Sequence, residues 1–375
     1  MKAEFDYTIK DTQAMPVTPV DAASFDLDRF EEHALEADQR YAEFIRQDEG
    51  VAVWQRVRVA EVFRYGCRDM RQSLRWQLGG LTKSFNYFTD VPMYLEPWYG
   101  IGTTASAFGG EYHWHAGEAP VVEPIYDSIH EVPELIPRNF SEVPIMEHTL
   151  KMIEYFLDQT HGCVPISWSD IQSPLNVALG LVDITGFLMA FYEAPGKVKE
   201  ILESLSDVVV AFTQRQGILI GDALARPGHG FASSRVGTGI GMSDDNMVMI
   251  SPQMYEAFCV ENNTRIGEHF GGVAIHSCGK WEKWIETVKG IPNLRMVDGA
   301  FSPQTDPNYN CCEVFRDALV NTGIILHVRI VGNPDEVLAR VKRLWVPGLK
   351  LLVVTYVQDP RAQQQLYEDL HALCS

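Results

Sequence analysis

Gly272-Val273-Ala274-Ile275-His276-Ser277-Cys278-Gly279 reads as a short apolar β-strand that delivers two metal-type side chains and stops at a glycine. Residues two apart on a strand point to the same face. If the strand persists to Cys278, an imidazole and a thiol therefore emerge side by side. Nitrogen and sulfur so placed suit a soft divalent metal such as zinc. The flanking glycines permit a sharp turn around the pair. A plainer reading stands beside this one: a buried strand end with a core cysteine and a hydrogen-bonded histidine. Two ligands alone do not make a metal site.

Outward from this strand the chain alternates. Downstream, the pattern predicts helices over 280–288, 311–321, 335–344 and 361–373, with strands over 294–297, 324–330 and 351–356 between them. Upstream, a helix over 252–270 is opened by Ser251 at the cap and Pro252 in the first turn. A glycine-punctuated strand over 235–242 precedes it. Before that come helices over 198–219 and 178–192, a strand ending at 164–168 and a helix over 145–159. Residues 133–144 read as a proline-punctuated surface connection. Residues 85–119, rich in Gly, Tyr, Trp and Phe, read as loops and short strands, and 26–47 and 51–66 read as helical.

Strands alternating with helices at this spacing imply parallel pairing through crossovers. No Gly-x-Gly-x-x-Gly opens a helix after the first strand, and Gly237-Thr-Gly-Ile-Gly241 lacks the lysine of a phosphate loop. The expected class is α/β: a (β/α)8 TIM barrel over residues 90–375, with an N-terminal helical extension over 1–89 packed on it. Active residues of that fold gather at the C-terminal strand ends. Asp244, His276, Cys278, Asp298 and Arg329 all fall at or just past such ends.

The composition limits the partners. Among 375 residues, 46% are hydrophobic and 22% charged, ample for a soluble core. The net charge of −19, from 31 basic and 50 acidic residues, argues against nucleic acid and against anionic membranes. Seven irregularly spaced cysteines do not form a disulfide framework. No run approaches the ~18 apolar residues of a membrane span, and the first residues lack a secretory pattern. The expected compartment is cytoplasmic.

Three successive stretches carry a resemblance: Met242-Ser-Asp-Asp-Asn246, Met249-Ile-Ser-Pro-Gln-Met-Tyr255 and the 272–279 strand. They resemble the uroporphyrinogen decarboxylase superfamily, which holds the decarboxylase and the zinc-dependent methyltransferases that work with corrinoid proteins. Asp90-Val-Pro-Met93, Ala107-Phe-Gly-Gly-Glu111, residues 188–195 and Gly332-Asn-Pro-Asp335 agree in order. The decarboxylase binds substrate carboxylates through an Arg-Gln-Ala-Gly-Arg-Tyr motif. Arg71-Gln-Ser-Leu-Arg-Trp76 keeps both arginines here but loses the central Ala-Gly, and an acidic chain is a poor host for a polycarboxylate. The methyltransferase branch uses His-x-Cys, matched by His276 and Cys278, plus a later cysteine near the end of the last barrel strand. The last strand here, Leu351-Leu-Val-Val-Thr-Tyr-Val-Gln-Asp359, offers none, and Cys374 comes too late.

The resemblance thus implies a methyltransferase-type enzyme moving a methyl group between a corrinoid protein and a small-molecule acceptor or donor. The alternatives are a metal-free binding or accessory barrel, or a decarboxylase of the same superfamily. Zinc is expected at His276, Cys278 and a third group. Glu111 ranks first, because Glu111, His113 and His115 share a face if that stretch is extended. Asp298 and Cys311 follow. Of Cys311 and Cys312, about 100° apart on a helix, at most one could reach the site. Asp244 and Asp298 are the candidate catalytic acids. His113, Trp114, His115 and Arg329 are the candidate substrate-binding residues, with His113 and Trp114 covering the mouth. His229 reads as a loop residue. A homodimer is compatible with this reading.

Overall fold

Val51-Ala-Val-Trp54 is expected inside a helix and is instead the first barrel strand, β1 (Gly50–Gln55). Its apolar residues fit either period, but alternating β-branched side chains and a tryptophan pack better on a pleated surface. The barrel therefore begins ahead of residue 90. The computed structural model describes residues 13–63, 68–97, 100–114 and 120–374. Helix α1 (Leu27–Arg46), capped by Asp26, runs into β1, and α2 (Met70–Ser84) follows it.

A two-residue hairpin, β2 (Tyr112–His113) with β3 (Val121–Val122), stands apart from the main sheet. Beyond it come β4 (Ile240–Ser243), β5 (Val273–His276), β6 (Leu294–Ala300), β7 (Ile325–Arg329) and β8 (Lys350–Thr355). With β1 these form one six-stranded parallel sheet in the order β1-β8-β7-β6-β5-β4. Their nearly continuous burial is the signature of parallel strands covered on both faces. Alternate residues separate into two cores. Ala52, Trp54, Ala274, Met296, Leu352 and Val354 share one cluster. Val51, Val53, Ile275, Val297, Leu351 and Val353 belong to another that includes the surrounding helices. That is the division between barrel interior and helix layer.

Two irregular segments complete the ring. Leu95 bridges Ile166, and Gln172 bridges Ser243, both in parallel. At the remaining seam the Asp90 N–H donates to the Val53 carbonyl at 2.8 Å, and its carboxylate accepts the Val53 N–H at 2.7 Å. A distorted (β/α)8 barrel results.

Its helices are α3 (Pro144–Gln159), α4 (Pro174–Leu179), α5 (Ile184–Glu193), α6 (Pro195–Ile220), α7 (Pro252–Phe258), α8 (Val260–Phe270), α9 (Ile285–Lys289), α10 (Cys312–Leu319), α11 (Pro334–Leu344) and α12 (Pro360–Leu373). Ser173, Ser251, Asn333 and Asp359 each cap a helix whose first turn holds a proline. The helices expected over 178–192 and 252–270 are each broken in two, near Gly180 and at Cys259. Among the described residues no helix is long and apolar enough to cross a membrane.

One loop enters the barrel. Residues 226–234 return on themselves through an antiparallel bridge between Arg226 and Ser234. They bury Phe231 with its ring centroid 5.7 Å from His327 and 6.5 Å from His276. The Tyr94 hydroxyl donates to the Phe231 carbonyl at 2.5 Å, and the Ala232 N–H donates to His327 Nε2 at 3.0 Å. Gly241 makes room for the ring: a Cβ there would lie 2.5 Å from it.

Candidate metal centre

Three neighbouring strands end in register, with Ser243 opposite His276 and His276 opposite Asp298. The chain leaves β5 at His276 and turns at Gly279, whose φ of +66° suits glycine. Cys278 is thereby left exposed beside the imidazole. His276 Nε2 lies 3.3 Å from Cys278 Sγ and 3.6 Å from Asp245 Oδ1. The Asp245 carboxylate is steadied by the Cys278 N–H at 2.7 Å. Ligand atoms of Asp245, His276 and Cys278 all lie within 4.8 Å of one another.

This donor set fits zinc. Bonds of about 2.0–2.3 Å at tetrahedral angles place neighbouring ligand atoms roughly 3.3–3.7 Å apart, which matches both imidazole distances. Three protein donors also leave a fourth position for substrate, as in catalytic zinc sites.

Behind the imidazole lies a buried network. His276 Nδ1 makes a very short contact with Asp298 Oδ2. The other Asp298 oxygen accepts His327 Nδ1 at 2.5 Å, and Arg329 Nε reaches the two oxygens at 3.1 and 3.0 Å. Because His327 Nε2 accepts the Ala232 N–H, its proton sits on Nδ1 and the ring is neutral, in keeping with burial pushing its pKa down. Burial alone would raise the Asp298 carboxyl. The Arg329 guanidinium, then His276, outweigh it and hold the group well below the usual carboxylate range. Burial likewise opposes charging His276, but Asp298 and then Cys278 hold that imidazole well above its ordinary value. Arg329 keeps one nitrogen, Nη2, buried without a hydrogen-bond partner.

Across the mouth, Glu96 accepts His229 Nδ1 at 2.9 Å and the Gly230 N–H at 3.3 Å. Although burial would raise its pKa, His229 and Arg56 hold Glu96 at about 2. His229, expected as a plain loop residue, is thus tied to the barrel rim.

Several expectations need correcting. Asp244 shares the barrel end with His276, to whose carbonyl its N–H donates at 2.7 Å. Its carboxylate, however, turns into the protein. It accepts Ser173 Oγ and the Tyr255 hydroxyl, each at 2.7 Å. Its neighbour Asp245 takes the other side and joins the triad. The sequence signal was the pair of adjacent aspartates, and nothing in the sequence said which one turned inward. Among the described residues Glu111 is not in the ligand group; it is exposed on the approach to β2. Cys311 Sγ donates to Glu313 Oε2 at 3.1 Å and Cys312 is buried in the core. Trp114 packs on Tyr112 and under the Arg68 guanidinium, while His113 lies in the small hairpin. His115 lies outside the described residues.

The last strand adds no ligand. Thr355 Oγ1 donates to Gln55 Oε1 at 2.7 Å within the core, and burial pushes the Cys374 thiol up to about 12. The arginine pair of α2 also faces elsewhere: Arg75 meets Asp21 at 2.8 Å and Arg71 is exposed.

A parallel eight-membered barrel with a nitrogen, sulfur and oxygen cluster at its C-terminal mouth defines the class. Residues 98–224 match the family model described as uroporphyrinogen decarboxylase (URO-D). No curated protein sequence matches the chain. Among solved structures, a methyltransferase from Methanosarcina mazei has the same fold, with a TM-score of 0.63. It aligns over 90% of this chain and 99% of that one at 13% identity. The resemblance to the URO-D superfamily is borne out. The family match lies upstream of the 244–279 motifs on which the sequence resemblance mainly rests, so the two do not repeat one another.

Proposed function

We propose that this chain is a methyltransferase of the URO-D superfamily that holds a zinc ion through His276, Cys278 and Asp245. In this reading it moves a methyl group between a corrinoid protein and a small-molecule acceptor or donor. The observation that carries it is the spacing of the three donor atoms at the strand ends. Support also comes from the fold shared with a methyltransferase. Zinc bound there would supply the Lewis acidity that keeps a substrate thiol ionised near neutral pH.

The protein's own groups do the rest. Asp298 accepts the hydrogen bond of the His276 Nδ1–H, fixing the tautomer that frees Nε2 as ligand. His327 and Arg329 fix Asp298 in turn. The free Arg329 Nη2 is the donor assigned to a polar group of the substrate. Phe231 fills the barrel beneath the triad and packs edge-on against the imidazole. With Asp245 as a ligand, the last-strand cysteine of the methyltransferase branch is not required. The carboxylate donates less charge than a thiolate, which leaves the metal a stronger acid.

Methylcobalamin can stand in for the corrinoid protein. Demethylation of methylcobalamin by a small thiol, followed by its absorbance, should be accelerated by the zinc-loaded chain and not by Cys278→Ala. Equal rates for the two proteins, or none above background with a panel of thiols, would leave the accessory-barrel reading in its place.

A further inference from the structure

Beside the triad lies a cleft that the proposed reaction has not used. Ile101, Val122, Val177, Leu179 and Ile184 form much of its wall, Asp245 belongs to its lining, and its volume is about 280 Å³. Sites for small organic molecules begin at roughly 300 Å³, so this cleft suits a single ring-sized group. Two of the three side-chain amides in the wall, those of Asn176 and Gln172, are already committed. Asn176 Nδ2 donates to Gln172 Oε1 at 2.8 Å and to the Ser243 carbonyl at 3.0 Å. Its Oδ1 accepts the Asn246 N–H at 3.0 Å, and Gln172 Nε2 donates to Asp170 Oδ1 at 2.8 Å. Much of what remains is aliphatic, and Ile101 and Ile184 stand 55% and 38% exposed. Among the described residues the lining contains no cationic side chain, and its one carboxylate is Asp245.

We propose that this cleft is a subsite for an uncharged group of about aryl size carried by the substrate. Resting on the methyltransferase reading, it places the ring along Val122, Leu179 and Ile184, with the heteroatom that gains or loses the methyl group at the triad. Asp245 is common to the cleft and the triad, which makes the two sites neighbours. In the metal-free chain an anionic ring is disfavoured, because it would meet that carboxylate with no cation among the described lining residues to balance it.

The test uses the full chain, metal-free and zinc-loaded, with anisole as an uncharged aryl ether and 4-methoxybenzoate as its anionic counterpart, both titrated calorimetrically. Anisole should bind saturably to both forms, and 4-methoxybenzoate should bind the metal-free form at least roughly tenfold more weakly than anisole does. Leu179→Trp, which fills the cleft, and Ile184→Asp, which charges its rim, should each weaken anisole by roughly tenfold or more. Residues 179 and 184 are only partly covered, so both variants should keep the wild-type circular dichroism. No saturable anisole binding, binding unchanged in both variants, or equal affinity of the metal-free form for the benzoate would overturn the proposal. Anisole binding in a chain that takes up no zinc would keep the cleft and sink the methyltransferase reading; zinc uptake without anisole binding would do the reverse.

Discussion

At the scale of single residues, two consecutive aspartates divide the work. Asp245 faces solvent, His276 and Cys278, whereas Asp244 is a buried strut joining β4 to α4, α7 and α8 through Ser173, Tyr255 and Asn263. Burial raises Asp244 to about 6, more than its three hydrogen bonds lower it. The native state therefore binds a proton between about pH 4 and pH 6 that the unfolded chain has released. This contribution to stability is full below pH 4 and is lost as pH rises through 6. Relative to Asp244→Asn, which cannot titrate, the wild type should lose on the order of 3 kcal/mol of unfolding free energy between pH 4 and pH 7. Urea titrations across that range measure it. A difference between the two proteins that stays constant with pH would contradict the assignment.

At the scale of elements, the loop 226–234 and the strand it covers are built for each other. Phe231 lies against the backbone of Gly241, and any side chain at 241 must displace the ring. Gly241→Ala should cost about 1–3 kcal/mol in urea unfolding, and markedly less in a Phe231→Ala background, where the space is already open. The same cost in both backgrounds would mean the ring does not seat on β4. Elements were also where the sequence was most and least legible. Ser251-Pro252 and Asn333-Pro334 marked helix starts because capping and a fixed proline φ act locally. β1 was misread because four apolar residues before an arginine-containing stretch satisfy both periods, and only its pairing with β8, some 300 residues later, decides between them.

At the scale of the whole molecule, the barrel class was legible from alternation, because parallel strands need crossovers of helical length. The pairing of His276 with Cys278 was legible too, since both come from one strand end. The third donor was not. Its choice depends on which neighbouring strand ends in register with β5, and β4 brings Asp245 there while Glu111 stays on the approach to a separate hairpin. His327 gave no signal, because its role appears only when β7 lies beside β6.

Metal content bears on the central claim most directly. Protein reconstituted with zinc, passed through a desalting column and measured by plasma emission should carry about one zinc per chain. Cys278→Ala and Asp245→Ala should each lose most of it while keeping the wild-type fold, and Glu111→Ala should retain it. A wild type that holds no zinc, or full retention in Asp245→Ala with loss in Glu111→Ala, would contradict the triad.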